Sequence, residues 1–229
     1  LALFSVLGVY EILGCIGYKK KLEIVIPSLT VAFIIPLTSR YISRYSGRNS
    51  FNLAIIGITF FIFMYYLMSL AVVSKGTKSI FDMSLVFLMT TYITVGFTSI
   101  VMLRDLPHGQ FLFLLVFIGA WVTDGAAYFI GRAFGKHKLI PDVSPKKTIE
   151  GAVGGTVFCV LSFLLFGIIV SSFSSLSVKV VETLVAGLFI SIISQFGDLI
   201  ASLIKRQYGI KDYGNLFPGH GGVMDRFDS

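Results

Sequence analysis

The chain reads as seven long apolar runs separated by short polar stretches, at roughly 1–18, 22–39, 51–73, 80–103, 110–131, 151–173 and 179–204. About 20 apolar residues in a helix cross the hydrocarbon core of a bilayer, so each run is expected as a membrane helix. The first is short because it begins at Leu1; the second carries Pro27 and Pro36, which predicts a short or kinked helix. The expected fold is all-α and polytopic, with about seven transmembrane helices. Region 1–109 holds the N-terminal helices, and region 110–229 adds the longer polar segments to its helices. Leu1 is not a start residue, and the chain stops at Ser229 just after a polar stretch, so further chain is expected at both ends.

Composition agrees with this picture: 55% hydrophobic, 14% charged, mean hydropathy +0.86. The net charge of +7 does not point to nucleic acid, because the bases sit in loops between apolar runs. Their distribution sets orientation. The loops after the first, third, fifth and seventh runs hold fourteen Lys and Arg residues, and the other loops hold five: Arg40, Arg44, Arg48, Arg104 and Lys179. The positive-inside rule puts the richer set in the cytoplasm, with the polar segments 132–150 and 205–229 on that side beside the cell's CTP and ATP. Cys15 and Cys159 lie in apolar runs and read as small core residues, neither a disulfide nor a metal pair.

Two aspartates stand out in apolar runs. A charge within the membrane is costly unless paired, ligated or wet. Asp124 in WVTDGAAYFIGR and Asp198 in SQFGDLIASLIKR both lie near the cytoplasmic ends of their runs, roughly 10 Å deep at 1.5 Å per residue. Small neighbours (Gly125, Ala126, Gly197, Ala201) allow close approach. Together they suit a divalent-metal floor; singly, each can pair with a base or line a wet cavity. Glu11 is expected to cap helix packing, and Asp82 to lie at the outer interface.

The segment Ser144–Gly155, SPKKTIEGAVGG, places Lys146 and Lys147 just before a helix start that Ser144 or Thr148 can cap, with Glu150 in the first turn. Such a terminus suits phosphate; it equally suits a basic anchor on anionic headgroups. The terminal stretch from Ser202 to Asp228 adds Lys205, Arg206, Lys211 and Arg226, the carboxylates Asp212, Asp225 and Asp228, and the flexible run Pro218-Gly219-His220-Gly221-Gly222. Such a run can offer backbone amides to an anion. Asp225 is a candidate third metal ligand. His220 is a candidate phosphate contact or acid, and as a lone histidine in a glycine loop it is equally well structural. Cations, amides and carboxylates together suggest phosphoryl or nucleotidyl transfer at a membrane surface.

The pattern Ser202-x2-Lys205-Arg206-x4-Lys211-Asp212-x-Gly214-x2-Phe217-Pro218-x-His220-Gly221-Gly222-x2-Asp225-Arg226 resembles the signature of the phosphatidate cytidylyltransferases, also called CDP-diacylglycerol synthases. Three upstream blocks are also similar: Trp121-x2-Asp124 through Tyr128, Gly131 and Gly135; Ser144-Pro145-Lys146-Lys147-Thr148-x-Glu150-Gly151; and Gln195-x-Gly197-Asp198-Leu199. The resemblance covers about 121–228 well, and the first hundred residues only as a series of membrane helices. It implies attack of phosphatidic acid on CTP, giving CDP-diacylglycerol and pyrophosphate. It also implies magnesium around Asp198 and Asp225, with room for a potassium ion beside it, and Asp124 as a further ligand or a group just behind. Lys146, Lys147, Lys205, Arg206, Lys211 and Arg226 become candidates for the triphosphate and the lipid phosphate. Ser144, Thr148, His220, Gly221 and Gly222 become candidate substrate contacts. A homodimer in the bacterial inner membrane, with its site facing the cytoplasm, is the implied setting.

Three alternatives are weighed. A CDP-alcohol phosphotransferase needs Ala-Arg and an aspartate pair at fixed offsets after Asp124-Gly125, and neither is present. Another CTP-using membrane enzyme, such as a polyprenol kinase or an archaeal-lipid cytidylyltransferase, shares the same metal and phosphate logic. An ion-coupled transporter would use Asp124 and Asp198 as cation ligands, but the chain shows no internal repeat of the kind such carriers often have.

Overall fold

The computed structural model describes residues 1–46, 49–75, 77–174, 178–216 and 221–228; within these, the side chains of 43–46 and 49–52 are not described. His220, with Phe217, Pro218 and Gly219, therefore lies outside the described residues. The apolar runs form seven helices: α1 (Ala2–Cys15), α2 (Leu22–Ser46), α3 (Asn49–Val73), α4 (Ile80–Arg104), α5 (Gly109–Phe134), α6 (Ile149–Phe173) and α7 (Val180–Gln207). Between α5 and α6 lies a short antiparallel hairpin, β1 (Lys138–Ile140) and β2 (Ser144–Thr148). Six of the helices are long and apolar enough to span a bilayer; α1, with 14 residues, is shorter. The protein is an all-α polytopic membrane protein, apart from that hairpin.

The chain divides into two compact units, Leu1–Gly109 with Ile210–Arg226, and Gln110–Gly209 with Phe227–Ser229. In the first unit, α1, α2 and α4 bury Val9, Ile12, Leu13, Ile24, Met83 and Val86, while Phe61 and Ile62 on α3 and Phe81 on α4 are apolar yet exposed. In a bilayer such exposed side chains are solvated by lipid, so packing within the unit rather than burial from water selects the inner residues.

The proline-bearing run is not short. α2 continues for 25 residues through Pro27 and Pro36. Pro27 has no N–H to give the carbonyl of Glu23 one turn earlier, and the Tyr66 hydroxyl donates to that carbonyl instead, at 2.8 Å. Asp82 sits in the first turn of α4, where a carboxylate favours the helix dipole, and accepts from the Tyr18 hydroxyl at 2.9 Å. Lys78 pairs with Glu23 at 3.1 Å nearby. Tyr18, after α1, thus reaches the first turn of α4, and Lys78, before α4, reaches the first turn of α2, so Asp82 lies at the lysine-rich end of the unit.

In the second unit, buried residues follow single stripes. α6 turns Gly151, Gly155, Cys159, Phe163, Gly167 and Val170 inward at steps of three and four, and α7 turns Gly187, Ser191, Ser194, Gly197, Ala201 and Ile204 inward. Small residues dominate both stripes, which lets the backbones come close. At Gly187, an added Cβ would stand 3.0 Å from the Val160 Cα. The Cys159 thiol donates to the Gly187 carbonyl at 3.4 Å, so this cysteine is a packing residue, and both cysteines are free thiols.

Candidate functional site

Four elements of the second unit line one cavity of about 410 Å³, an ordinary size for a small-molecule site. α5 supplies Asp124, Ala127, Tyr128 and Gly131, at the three- and four-residue steps that keep side chains on one helix face. The hairpin supplies Lys138, Lys146, Lys147 and Thr148; α6 supplies Gly151 and Ala152; α7 supplies Gln195 and Asp198. α5 and α6 meet almost backbone to backbone here. A Cβ on Gly151 would lie 2.6 Å from the Ala127 carbonyl oxygen, and one on Gly155 would lie 2.7 Å from that of Thr123.

α5 and α7 continue past Arg132 and Arg206 to Phe134 and Gln207, because cations in a last turn complement the helix dipole. Asp124 and Asp198 then sit roughly 15 Å and 14 Å from those ends at 1.5 Å per residue. Asp198 is paired: its Oδ2 is 2.5 Å from the Lys147 ammonium, and each side chain is about a quarter exposed. The Ser202 hydroxyl donates to its other oxygen at 3.3 Å. One turn earlier, Gln195 donates to the Thr156 hydroxyl at 3.0 Å, bracing α7 against α6 where both border the cavity.

The segment 132–150 is an ordered arm, not an open loop. The register pairs Lys138 with Thr148 and Ile140 with Ser144. The arm is pinned at its base, where the Ile149 amide donates to the His137 carbonyl at 2.9 Å. Glu150 accepts from the His137 backbone amide at 3.2 Å, and its carboxylate lies 2.6 Å from the His137 Nδ1. Of the two candidate caps it is Thr148 that caps α6, accepting from the Gly151 amide at 3.1 Å. Ser144 opens β2 opposite Ile140 and does not line the cavity. Lys146 and Lys147 reach the cavity from β2. At the end of α7, Lys205 lies 3.7 Å from Asp228, and Arg206 is exposed.

In the first unit, the end of the signature segment is held by carboxylates. The Tyr213 and Gly222 amides donate to Asp225 Oδ2 at 2.8 and 2.9 Å. The Val223 and Met224 amides donate to the two oxygens of Glu11 at 2.9 Å each. Gly221, at φ +82°, makes the turn that brings Gly222 back to Asp225. Lys211 and Arg226 are exposed. Asp225 and Asp198 belong to different units. Glu11 has its partners in backbone more than 200 residues away rather than in helix packing.

Among the described residues, no three His, Cys, Asp or Glu side chains cluster as a metal cage. Magnesium seldom needs one: it is commonly held by one or two carboxylates, with water and substrate phosphate completing the shell. Asp124 and Asp198, two hard oxygen donors on one cavity, fit that requirement. Gln195 and Lys138 line the same cavity, yet sequence reasoning gave neither a role. Gln195 was legible only as part of the block ending in Asp198.

A model of the cytidylyltransferase family matches residues 1–229. The chain belongs to the cytidylyltransferase family. Among members of this family, a phosphatidate cytidylyltransferase of Bacillus subtilis (strain 168) is 34% identical over 212 residues, covering 92% of this chain and 77% of the relative. Phosphatidate cytidylyltransferases of Staphylococcus haemolyticus and Staphylococcus saprophyticus are 38% identical over 165 residues, covering 72% of this chain and 61% of each relative. Against those two, the cytidylyltransferase-family chain spans less than two thirds of the relative's length. The family match extends the resemblance from 121–228 to the N-terminal helices, including α1 with its Glu11.

Proposed function

We propose that this membrane protein transfers the cytidylyl group of CTP to phosphatidic acid. A phosphate oxygen of the lipid attacks the α-phosphorus of CTP. The new P–O bond forms as the bond to the β-phosphate oxygen breaks, and pyrophosphate leaves with that electron pair. CDP-diacylglycerol stays in the membrane. The attacking oxygen is already anionic, so the reaction needs placement and charge neutralisation rather than a strong base.

The observation that carries this reading is the cavity in a cytidylyltransferase-family chain, where Asp124 and Asp198 share a lining with Lys138, Lys146 and Lys147. The lysines supply the positive wall for phosphate, and Lys147 keeps Asp198 neutralised before substrate arrives. Asp124 and Asp198 would hold magnesium; when bound, the ion draws charge from the phosphate oxygens. The family resemblance alone makes Asp225 a candidate metal ligand. A potassium ion as second cation belongs to the same proposal. Lys205, Arg206, Lys211 and Arg226 are assigned to the triphosphate and the lipid phosphate. The concentration of Lys and Arg in alternate loops supports an inner-membrane protein whose site faces the cytoplasm. A homodimer is proposed on the family resemblance.

The test is pyrophosphate release by the full-length protein in detergent–lipid micelles with CTP and magnesium, with and without phosphatidic acid. Release that requires both substrates is expected. No release from a folded sample, CDP formed with a polyprenol acceptor, or pyrophosphate released with an ether-lipid phosphate and not with phosphatidic acid, overturns the assignment.

A further inference from the structure

We propose that Glu11 is a positioning residue for the reaction: a carboxylate on α1 that clasps the end of the signature segment and fixes where Asp225 and Arg226 stand. The proposal rests on the cytidylyltransferase reading above. Glu11 is the one charged residue of α1, an otherwise apolar helix apart from Ser5 and Tyr10. A carboxylate in that setting requires partners, and it takes two, the Val223 and Met224 amides, at 2.9 Å each. Two acceptor oxygens meet two adjacent backbone donors, so the contact fixes both the position and the orientation of the backbone.

The surroundings are shaped to this carboxylate. A Cβ on Gly222 would lie 2.3 Å from Glu11 Oε1, and one on Gly214 would lie 2.5 Å from the same atom. Two glycines of the signature are therefore needed for the loop to reach Glu11. Val223 and Met224 are fully or almost fully buried, and the Met224 side chain packs at Gly8, one turn before Glu11, where a Cβ would meet its sulfur at 3.3 Å. Asp225 completes the clasp from within the loop, gathering the Tyr213 and Gly222 amides. Three successive residues, 222 to 224, are thus held through their amides by two carboxylates, and the Met224 side chain is buried as well. Asp225 and Arg226 follow directly, so a loop released from Glu11 carries both away from their working positions.

The experiment compares full-length wild type with E11A, E11Q and G222A in micelles, reading three quantities: hydrogen–deuterium exchange at residues 213–226, kcat, and KM for CTP. E11Q keeps the size of the side chain but leaves one acceptor oxygen for two amides, and G222A attacks the contact from the loop side. Expected are faster exchange across 213–226 in all three, unchanged exchange in α6 and α7, and kcat lower by about a hundredfold in E11A, the scale of a misplacement near 1 Å. E11Q should fall between E11A and wild type, the graded rescue that a general loss of folding would not give. Exchange at 213–226 equal to wild type in E11A and E11Q, or faster exchange with wild-type kcat, overturns the proposal. Wild type without CTP- and phosphatidate-dependent release sinks the enzymatic reading instead, while exchange in E11A still decides whether the clasp exists.

Discussion

Replacing Asp198 by Asn separates catalysis from folding. Two unit charges 2.5 Å apart attract by about 7 kcal/mol at an effective dielectric near 20. Desolvating both groups costs several kcal/mol in return, so the net contribution of such a pair is about 1–3 kcal/mol. Asparagine keeps a carbonyl oxygen that accepts from the Lys147 ammonium, so D198N should lose no more than about 2 kcal/mol of stability. For a chain of this size that is a fall of roughly 4–8 °C in Tm. Turnover should respond differently. Loss of a group that compensates charge in the transition state costs about 100- to 1000-fold, or about 3–4 kcal/mol of barrier. The assay is pyrophosphate release at saturating CTP and magnesium, with thermal unfolding of the same micelle preparations alongside. Near-wild-type turnover at saturating magnesium would refute the role given to Asp198. So would an activity loss fully matched by unfolding at the assay temperature.

Three other outcomes follow from the packing. G151A pushes a methyl to 2.6 Å from the Ala127 carbonyl oxygen, an overpacking that costs about 1–3 kcal/mol and should lower the unfolding midpoint and turnover together as α5 and α6 part beside the cavity. T148A removes the cap of α6 and should destabilise by about 1 kcal/mol; thermal unfolding reads this, and T148S should restore it. K179A should leave turnover at the wild-type value in the same release assay. Among the described residues Lys179 pairs with Glu182, whose carboxylate raises the ammonium pKa above its ordinary value, and both side chains are mostly exposed.

The helices were legible because an apolar run of bilayer length has few alternatives. Asp124 and Asp198 were legible as a pair because a charge in such a run demands a reason. The hairpin was not legible. Its strands are three and five residues long, one carries Pro145, and neither has an apolar face; the pairing of Lys138 with Thr148 comes from the anchored base rather than from strand propensity. Glu11 showed only as a lone charge, since its partners at Val223 and Met224 are backbone amides and leave no trace in side-chain identity. The persistence of α2 through Pro27 depended on Tyr66, on the next helix, reaching the Glu23 carbonyl. In each case the deciding contact is remote in sequence and made through the main chain.

The hairpin between α5 and α6 also governs where this protein can change length. Its base is fixed by His137, Ile149 and Glu150, and β2 is irregular enough that the successive residues Lys146 and Lys147 both line the cavity. One residue inserted between Lys147 and Ile149 would lengthen the stretch from that base to Lys147 and draw away from Asp198 the ammonium that now holds it. One residue inserted among Pro141, Asp142 and Val143 would lengthen the tip and leave that register untouched. The arm therefore measures the lysines out from its root, and insertions and deletions can accumulate at the tip without moving the chemistry.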